Sequence, residues 1–167
     1  MTALPDIEAA QAGDKAAFAR LHTRWHPVVH AVLLARLPLQ DAEDLVQEVF
    51  VTAWLRMGEL TDPNAFGGWV CAIARHRAVD HWRARRQTEP LTVEPAAPPA
   101  SDRGVHDVLA AVQALPEAYR ETLLLRLVAG YTGPEISERT GLTAGSVRVN
   151  LTRGMALLRE RIRGTDE

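Results

Sequence analysis

The sequence predicts an all-α protein of two small helical domains joined by a proline-rich linker. Three observations predict it. Apolar residues recur at three- and four-residue spacing through most of the 167-residue chain, which gathers them on one side of a helix. No stretch alternates apolar and polar side chains as a half-buried strand does. Residues 88–104, TEPLTVEPAAPPASDRG, hold four of the ten prolines and no aromatic, a composition of extended, polyproline-type chain. The expected units are a helical bundle over residues 1–87, the linker 88–104, and a second helical unit over 105–167.

Each helix has its own signals. Asp14 precedes Phe18, Leu21, Trp25, Val28, Val29 and Val32 and is the expected cap of the first. After Pro38, Asp41 is the expected cap of a second, with Leu45, Val46, Val49, Phe50, Ala53 and Trp54 on one side and an end near Gly58. A third runs from Asn64 or Ala65 to Arg86, its apolar stripe being Phe66, Trp69, Val70, Ile73 and Ala74. Beyond the linker, Val105–Leu115 and Glu117–Val128 read as helices divided by Pro116, which disfavours helix in the residue before it. Residues 130–162, GYTGPEISERTGLTAGSVRVNLTRGMALLRERI, carry helix-turn-helix spacing. Ser137 is small where two helices touch, Gly141 can take the left-handed backbone of the turn, and Ile136, Leu142 and Val147 fill the shared core. Thr143 then caps the last helix. With Val147, Leu151, Leu158 and Ile162 turned inward, Ser146, Arg148, Val149, Asn150, Thr152 and Arg153 face outward, within reach of a major groove.

Charge is distributed unevenly under a formal total of −2. Residues 1–64 carry nine acids against five bases, whereas 75–86 and 146–163 each net +4. Two separated basic segments predict two polyanion contacts. The composition, 47% apolar and 24% charged, is that of a folded chain. A single cysteine, Cys71, excludes an internal disulfide and a cysteine-based zinc cluster. No apolar run approaches the roughly 20 residues of a membrane span. The opening MTALPDIEAAQAGD lacks a signal-peptide layout, so a cytoplasmic protein without membrane insertion is expected. Neither a glycine-rich phosphate loop, a nucleophile elbow nor an acid pair is present, so neither catalysis nor a cofactor is expected. His22, His26 and His30 recur every four residues, but the outer two stand about 12 Å apart on a helix, too far to share one ion. A metal site is not expected. These residues alone leave open a stand-alone helix-turn-helix regulator of duplex DNA and a helical metalloenzyme that uses the histidines.

Four motifs narrow the choice. DAEDLVQEVFVTAW (41–54), WVCAIARHRAVDHWRARRQ (69–87), LPEAYRETLLLRLVAGYTGPEIS (115–137) and GSVRVNLTRG (145–154), in this order and split by a linker, resemble the extracytoplasmic-function sigma factors of the sigma-70 superfamily. The resemblance spans about Asp14 to Ile162 and implies a sigma region 2-like bundle and a sigma region 4-like helix-turn-helix. It implies that Asp41, Asp44, Gln47 and Glu48 dock on the β′ clamp coiled coil of core RNA polymerase, with the β flap as a second contact. It implies that the 75–87 helix opens and reads the proximal promoter element: Arg75, Arg77, Arg83, Arg85 and Arg86 on phosphate, and His76 and Asp80 near bases. Opened strands expose phosphates and base faces, which arginine and aromatic side chains bind. The loop 59–68, ELTDPNAFGG, with Asp62, Asn64 and its glycine pair, would hold a flipped-out base, and the neighbouring Trp69, also on the apolar stripe, counts among the proximal-element contacts. Ser146, Arg148, Val149, Asn150, Thr152 and Arg153 would read the distal element as duplex, and an anti-sigma factor, often membrane-bound, is a further implied partner. The chain departs from the family pattern at His76, where asparagine is usual, at Val149-Asn150, and at Gly133-Pro134. Proline is tolerated in a first helical turn, so these changes bear on promoter sequence rather than fold.

Overall fold

The structure is a computed structural model that describes residues 3–88 and 103–165. Eight α-helices and two short 3-10 turns make up its regular elements, with no strand among the described residues. The linker expected at 88–104 falls largely outside them. Helices α1 (Leu4–Gln11), α2 (Lys15–Leu34), α3 (Leu39–Leu55) and α4 (Phe66–Thr88) form the first unit, the 3-10 turns Met57–Glu59 and Pro63–Ala65 leading from α3 into α4. Helices α5 (Arg103–Gln113), α6 (Glu117–Leu127), α7 (Gly133–Thr140) and α8 (Ala144–Thr165) form the second.

The Asp14 carboxylate accepts the N–H groups of Ala16 and Ala17, as a capping aspartate does at the start of α2. The expected cap of α3 is corrected: the helix begins at Leu39 behind an extended Pro38, and Asp41 stands inside the first turn. Its charge still complements the positive helix end. Helix α1 has no counterpart in the sequence reading, because eight residues with only Ile7 and Ala10 buried leave too short a stripe. Buried Leu21, Val28, Val29 and Val32 of α2 meet Val46, Val49 and Phe50 of α3 and Val70, Cys71 and Ala74 of α4. Trp25 sets its edge against Phe66 at 5.6 Å. Each such buried aliphatic side chain contributes about 1.5–3 kcal/mol, so Leu21→Ala would weaken the bundle by about 2–5 kcal/mol.

The core continues without a break into the second unit through Leu37, Val112, Leu123, Leu125 and Ile136. There α7 opens with a reciprocal capping box: the Thr132 hydroxyl accepts the Glu135 N–H, and the Glu135 carboxylate accepts the Thr132 N–H at 2.7 Å. Gly141 takes φ +75°, the left-handed backbone expected of the turn. Thr143 accepts the Ser146 N–H at 3.1 Å, as the expected cap of α8. Ile136 and Val147 are fully buried and Leu158 nearly so, but Ile162 is 40% exposed. That corrects the inward placement of Ile162, since the last turns of α8 run on past the buried Leu158. Gly154, on the inward side, is buried where an added Cβ would stand 3.0 Å from Leu123 and 3.1 Å from Tyr119, so α8 and α6 come together there.

Candidate nucleic-acid and polymerase interfaces

Helix α4 carries the basic stretch, and the fold divides its arginines into two sets. Arg83 and Arg86 are exposed and, with Val79 and Trp82, line a shallow groove. Trp82 is 41% exposed, and its indole N–H donates to the Arg36 carbonyl at 2.9 Å, which fixes the ring at the surface. His76 and Asp80 are also exposed. The other three arginines are engaged within the molecule. Arg75 pairs with Glu121, its Nε and Nη2 each donating at 2.8 Å. Arg77 donates to the Thr52 hydroxyl at 2.8 Å and lies 3.9 Å from the Glu48 carboxylate. Arg85 donates to Asp41 at 2.6 Å, and His81 meets the same oxygen at 3.1 Å.

The α3 residues expected to dock differ in exposure. Asp44, Gln47 and Glu48 point to solvent on the side opposite the buried Leu45, Val46, Val49 and Phe50, continued by Val51 and by Leu55 at 77% exposure. Asp41 is half-buried and turned toward α4.

The loop before α4 builds a cleft of about 440 Å³ lined in part by Leu60, Asp62, Asn64, Trp69, Glu138 and Gly141. Asp62 caps the second 3-10 turn by accepting the Asn64 N–H at 2.9 Å and also takes the Asn64 side-chain amide at 3.1 Å. Trp69 is half-buried beside Phe66, ring centres 5.9 Å apart, and leaves one side to the cleft. Two walls of this cleft, Glu138 and Gly141, belong to the helix-turn-helix.

On α8, Ser146, Arg148, Val149, Thr152 and Arg153 are exposed along one face. Asn150 is half-buried and donates to the Thr122 hydroxyl at 3.3 Å, so the structure ties it to α6.

Sequence reasoning missed Glu121, 7% exposed, which the Arg75 fork and the Arg36 guanidinium both hold. Burial pushes its carboxyl up, but the Arg75 hydrogen bonds and charge, joined by Arg36, outweigh burial and hold it below the ordinary carboxylate range. Its position in the apolar run RETLLLRL gave no sign of partners 46 and 85 residues away. The histidine row does form, His22 to His26 at 5.6 Å and His26 to His30 at 6.0 Å between ring centres. Among the described residues no group of three metal-ligating side chains converges.

Two family models match the chain, Sigma-70 region 2 over residues 21–88 and Sigma-70 region 4 over residues 106–158. The ECF RNA polymerase sigma factor SigF of Caulobacter vibrioides is 35% identical over 131 residues, 75% of this chain and 73% of that protein. The chain belongs to the extracytoplasmic-function sigma factors. It is accordingly an RNA polymerase sigma factor, a transcription initiation protein that binds the polymerase and directs it to promoters. Solved sigma-factor folds agree in architecture. The structure of CnrH with the cytosolic domain of CnrY matches at a TM-score of 0.70 and 23% identity, covering 96% of this sigma factor and 97% of CnrH. RpoE of Bartonella quintana, solved with the anti-sigma factor NepR, matches at 0.58 and 20% identity over 87% of this chain and 96% of that one. No described helix of this sigma factor is long and apolar enough to cross a membrane.

Proposed function

We propose that residues 1–87 dock on core polymerase and open and read the proximal promoter element, and that residues 105–167 read the distal element as duplex. Asp44, Gln47 and Glu48 on α3 are the docking side chains, with Asp41 added once its partners on α4 let go. The proximal strand lies along α4, its phosphates on Arg83 and Arg86 first, then Arg75, Arg77 and Arg85. His76 and Asp80 stand near its bases, and one base enters the cleft of Asp62, Asn64 and Trp69. In the distal unit, Ser146, Arg148, Val149, Thr152 and Arg153 face the groove, and Asn150 joins them if it leaves Thr122. The sigma factor works in the cytoplasm, with no catalytic site or cofactor of its own. An anti-sigma factor is a further partner, as the complex solved for the Bartonella relative suggests.

The observation that carries this reading is the groove on α4 that Val79 and Trp82 line together with Arg83 and Arg86. Apolar ring and paired charges side by side suit an unstacked strand, whose bases need a surface and whose phosphates need cations. Such contacts release counterions, so binding should weaken steeply with salt. The test is co-elution with core polymerase followed by transcription from a genomic fragment library. The wild-type chain is expected to co-elute and to create discrete new start sites. The double variant Asp44→Lys, Glu48→Lys is expected to lose co-elution while keeping its helical circular dichroism. Co-elution of that variant at the wild-type level would remove α3 from the docking surface.

A further inference from the structure

Helix α1 precedes the residues matched by the Sigma-70 region 2 model, which begin at 21, and the roles proposed above fall on α3, α4, the loop before α4, and α8. The last residue of α1, Gln11, is half-buried and reaches across to the chain between α3 and α4. Its amide nitrogen donates to the Met57 carbonyl at 3.2 Å and to the Leu60 carbonyl at 2.6 Å, partners 46 and 49 residues away. A carboxamide has two N–H hydrogens, so both are engaged. Met57 opens the 3-10 turn Met57–Glu59 and Leu60 follows its end, so one side chain fixes both the start and the finish of that turn.

The consequence falls on the cleft beyond the turn. Leu60 leaves the turn with extended backbone and is itself a wall of the cleft, followed by Asp62 and Asn64. The Met57 and Leu60 side chains are buried, but apolar burial is non-directional and does not set how the peptide groups between them are turned. On the outside of the turn Arg56 holds Glu59 at 2.6 Å, and both are exposed, so that pair contributes little. The two bonds from Gln11 are the directional restraint from a distant element. Further along α1, Leu4 and Ile7 share a cavity of about 150 Å³ with Pro63, Asn64 and Phe66, so the helix backs the second 3-10 turn as well. A cleft that chooses among bases must hold its polar groups to within about 0.5 Å, and a surface loop without such backing is mobile.

We propose, on the reading that the cleft of Asp62, Asn64 and Trp69 receives a base, that Gln11 is a positioning residue for promoter readout. By tying the Met57 and Leu60 carbonyls to α1 it holds Leu60, Asp62 and Asn64 in the arrangement that selects the captured base, and it does so without touching DNA. Loss of the amide therefore loosens the choice among bases in the proximal element and leaves docking through α3 and duplex reading through α8 as they are.

The experiment reconstitutes the full chain with core polymerase and transcribes a pool of barcoded templates built on the strongest start site from the fragment library, with proximal and distal elements randomised. Transcript counts give the base preference at each position. Gln11→Met keeps the length of the side chain and donates no hydrogen bond, and Gln11→Ala serves in its place if the longer side chain spoils folding. Asp62→Ala with Asn64→Ala alters the cleft itself. Each variant is first checked for native helicity and for co-elution with core polymerase. In Gln11→Met the ratio of best to worst base at one proximal position is expected to fall by about fivefold or more, with distal preferences unchanged. The Asp62→Ala, Asn64→Ala pair is expected to act at that same position. Hydrogen exchange of the free protein is expected to quicken within residues 57–65 by about fivefold or more, and not in α8. Wild-type exchange there would overturn the restraint. Wild-type proximal preferences in Gln11→Met, with altered ones in the cleft pair, would overturn the positioning role and leave the cleft as the base site. Equal losses at both elements would mean a general weakening and overturn it too. Unchanged preferences in the cleft pair would show that no base is read there, and the role of Gln11 would fall with that reading.

Discussion

Burial acts on the α2 histidines one by one. His22 and His30 are held below the ordinary imidazole range, first by burial and then by the charge of His26; Gln47 offsets this for His22 and Glu43 for His30. The His30 Nε2 is buried with no hydrogen-bond partner. Because the folded values lie below the unfolded one of about 6.5, the unfolded chain takes up protons first as pH falls. Stability is therefore present above about pH 6.5 and lost below it. We expect the melting temperature to drop between about pH 6.5 and 5, and His30→Leu, which strands no partner, to flatten that drop. A pH profile as steep in the variant would assign the loss elsewhere. Gly141 gives a second residue-level expectation. At φ +75° an alanine is strained whatever the space, and a Cβ there would meet only the Gly68 Cα at 4.0 Å. Gly141→Ala should cost about 1–2 kcal/mol, all of it conformational, measurable by denaturant unfolding.

The helices themselves were legible where burial repeats with the helical period. The stripes of α2, α3 and α4 gave their faces directly, and Asp14, Gly141 and Thr143 gave their ends because each supplies a specific backbone need. Asp41 misled because a carboxylate suits both a cap and a first turn, and only the extended Pro38 decides between them. Asn150 and Ile162 misled for a different reason, since they lie at the border of the stripe on α8 and only the position of α6 determines which way they turn. The candidate site was half legible. Composition put arginines on α4 but said nothing of which would find carboxylates, because Glu121, Asp41 and Glu48 come from other elements. On α8 the exposed pair makes a prediction at this scale: Arg148→Ala or Arg153→Ala should weaken distal-element binding by about 1–3 kcal/mol if it contacts a base. If it contacts phosphate instead, the loss should be uniform over sequences and the salt slope should fall by about one. Titrations against matched and mismatched duplexes separate the two, and unchanged binding in both variants would move the reading face off α8.

At the scale of the whole molecule, one core serves both units, so they should unfold together. All four tryptophans, Trp25, Trp54, Trp69 and Trp82, lie in the first unit, whereas helical circular dichroism samples both. Coincident denaturant curves by the two probes are expected for wild type, and separated curves for Glu121→Gln. Separate curves in the wild type would mean that the continuous core does not couple the units. The bonds between α3 and α4 carry one more consequence. Asp41 is held by Arg85 and His81, and Glu48 lies beside Arg77, so the acidic and the basic faces serve as each other's counterions. On the proposed roles, a ligand that claims the acids releases the arginines, and a strand that claims the arginines releases the acids. Such an exchange is reciprocal by thermodynamic necessity: whatever factor promoter DNA adds to the hold on polymerase, polymerase adds to the hold on DNA.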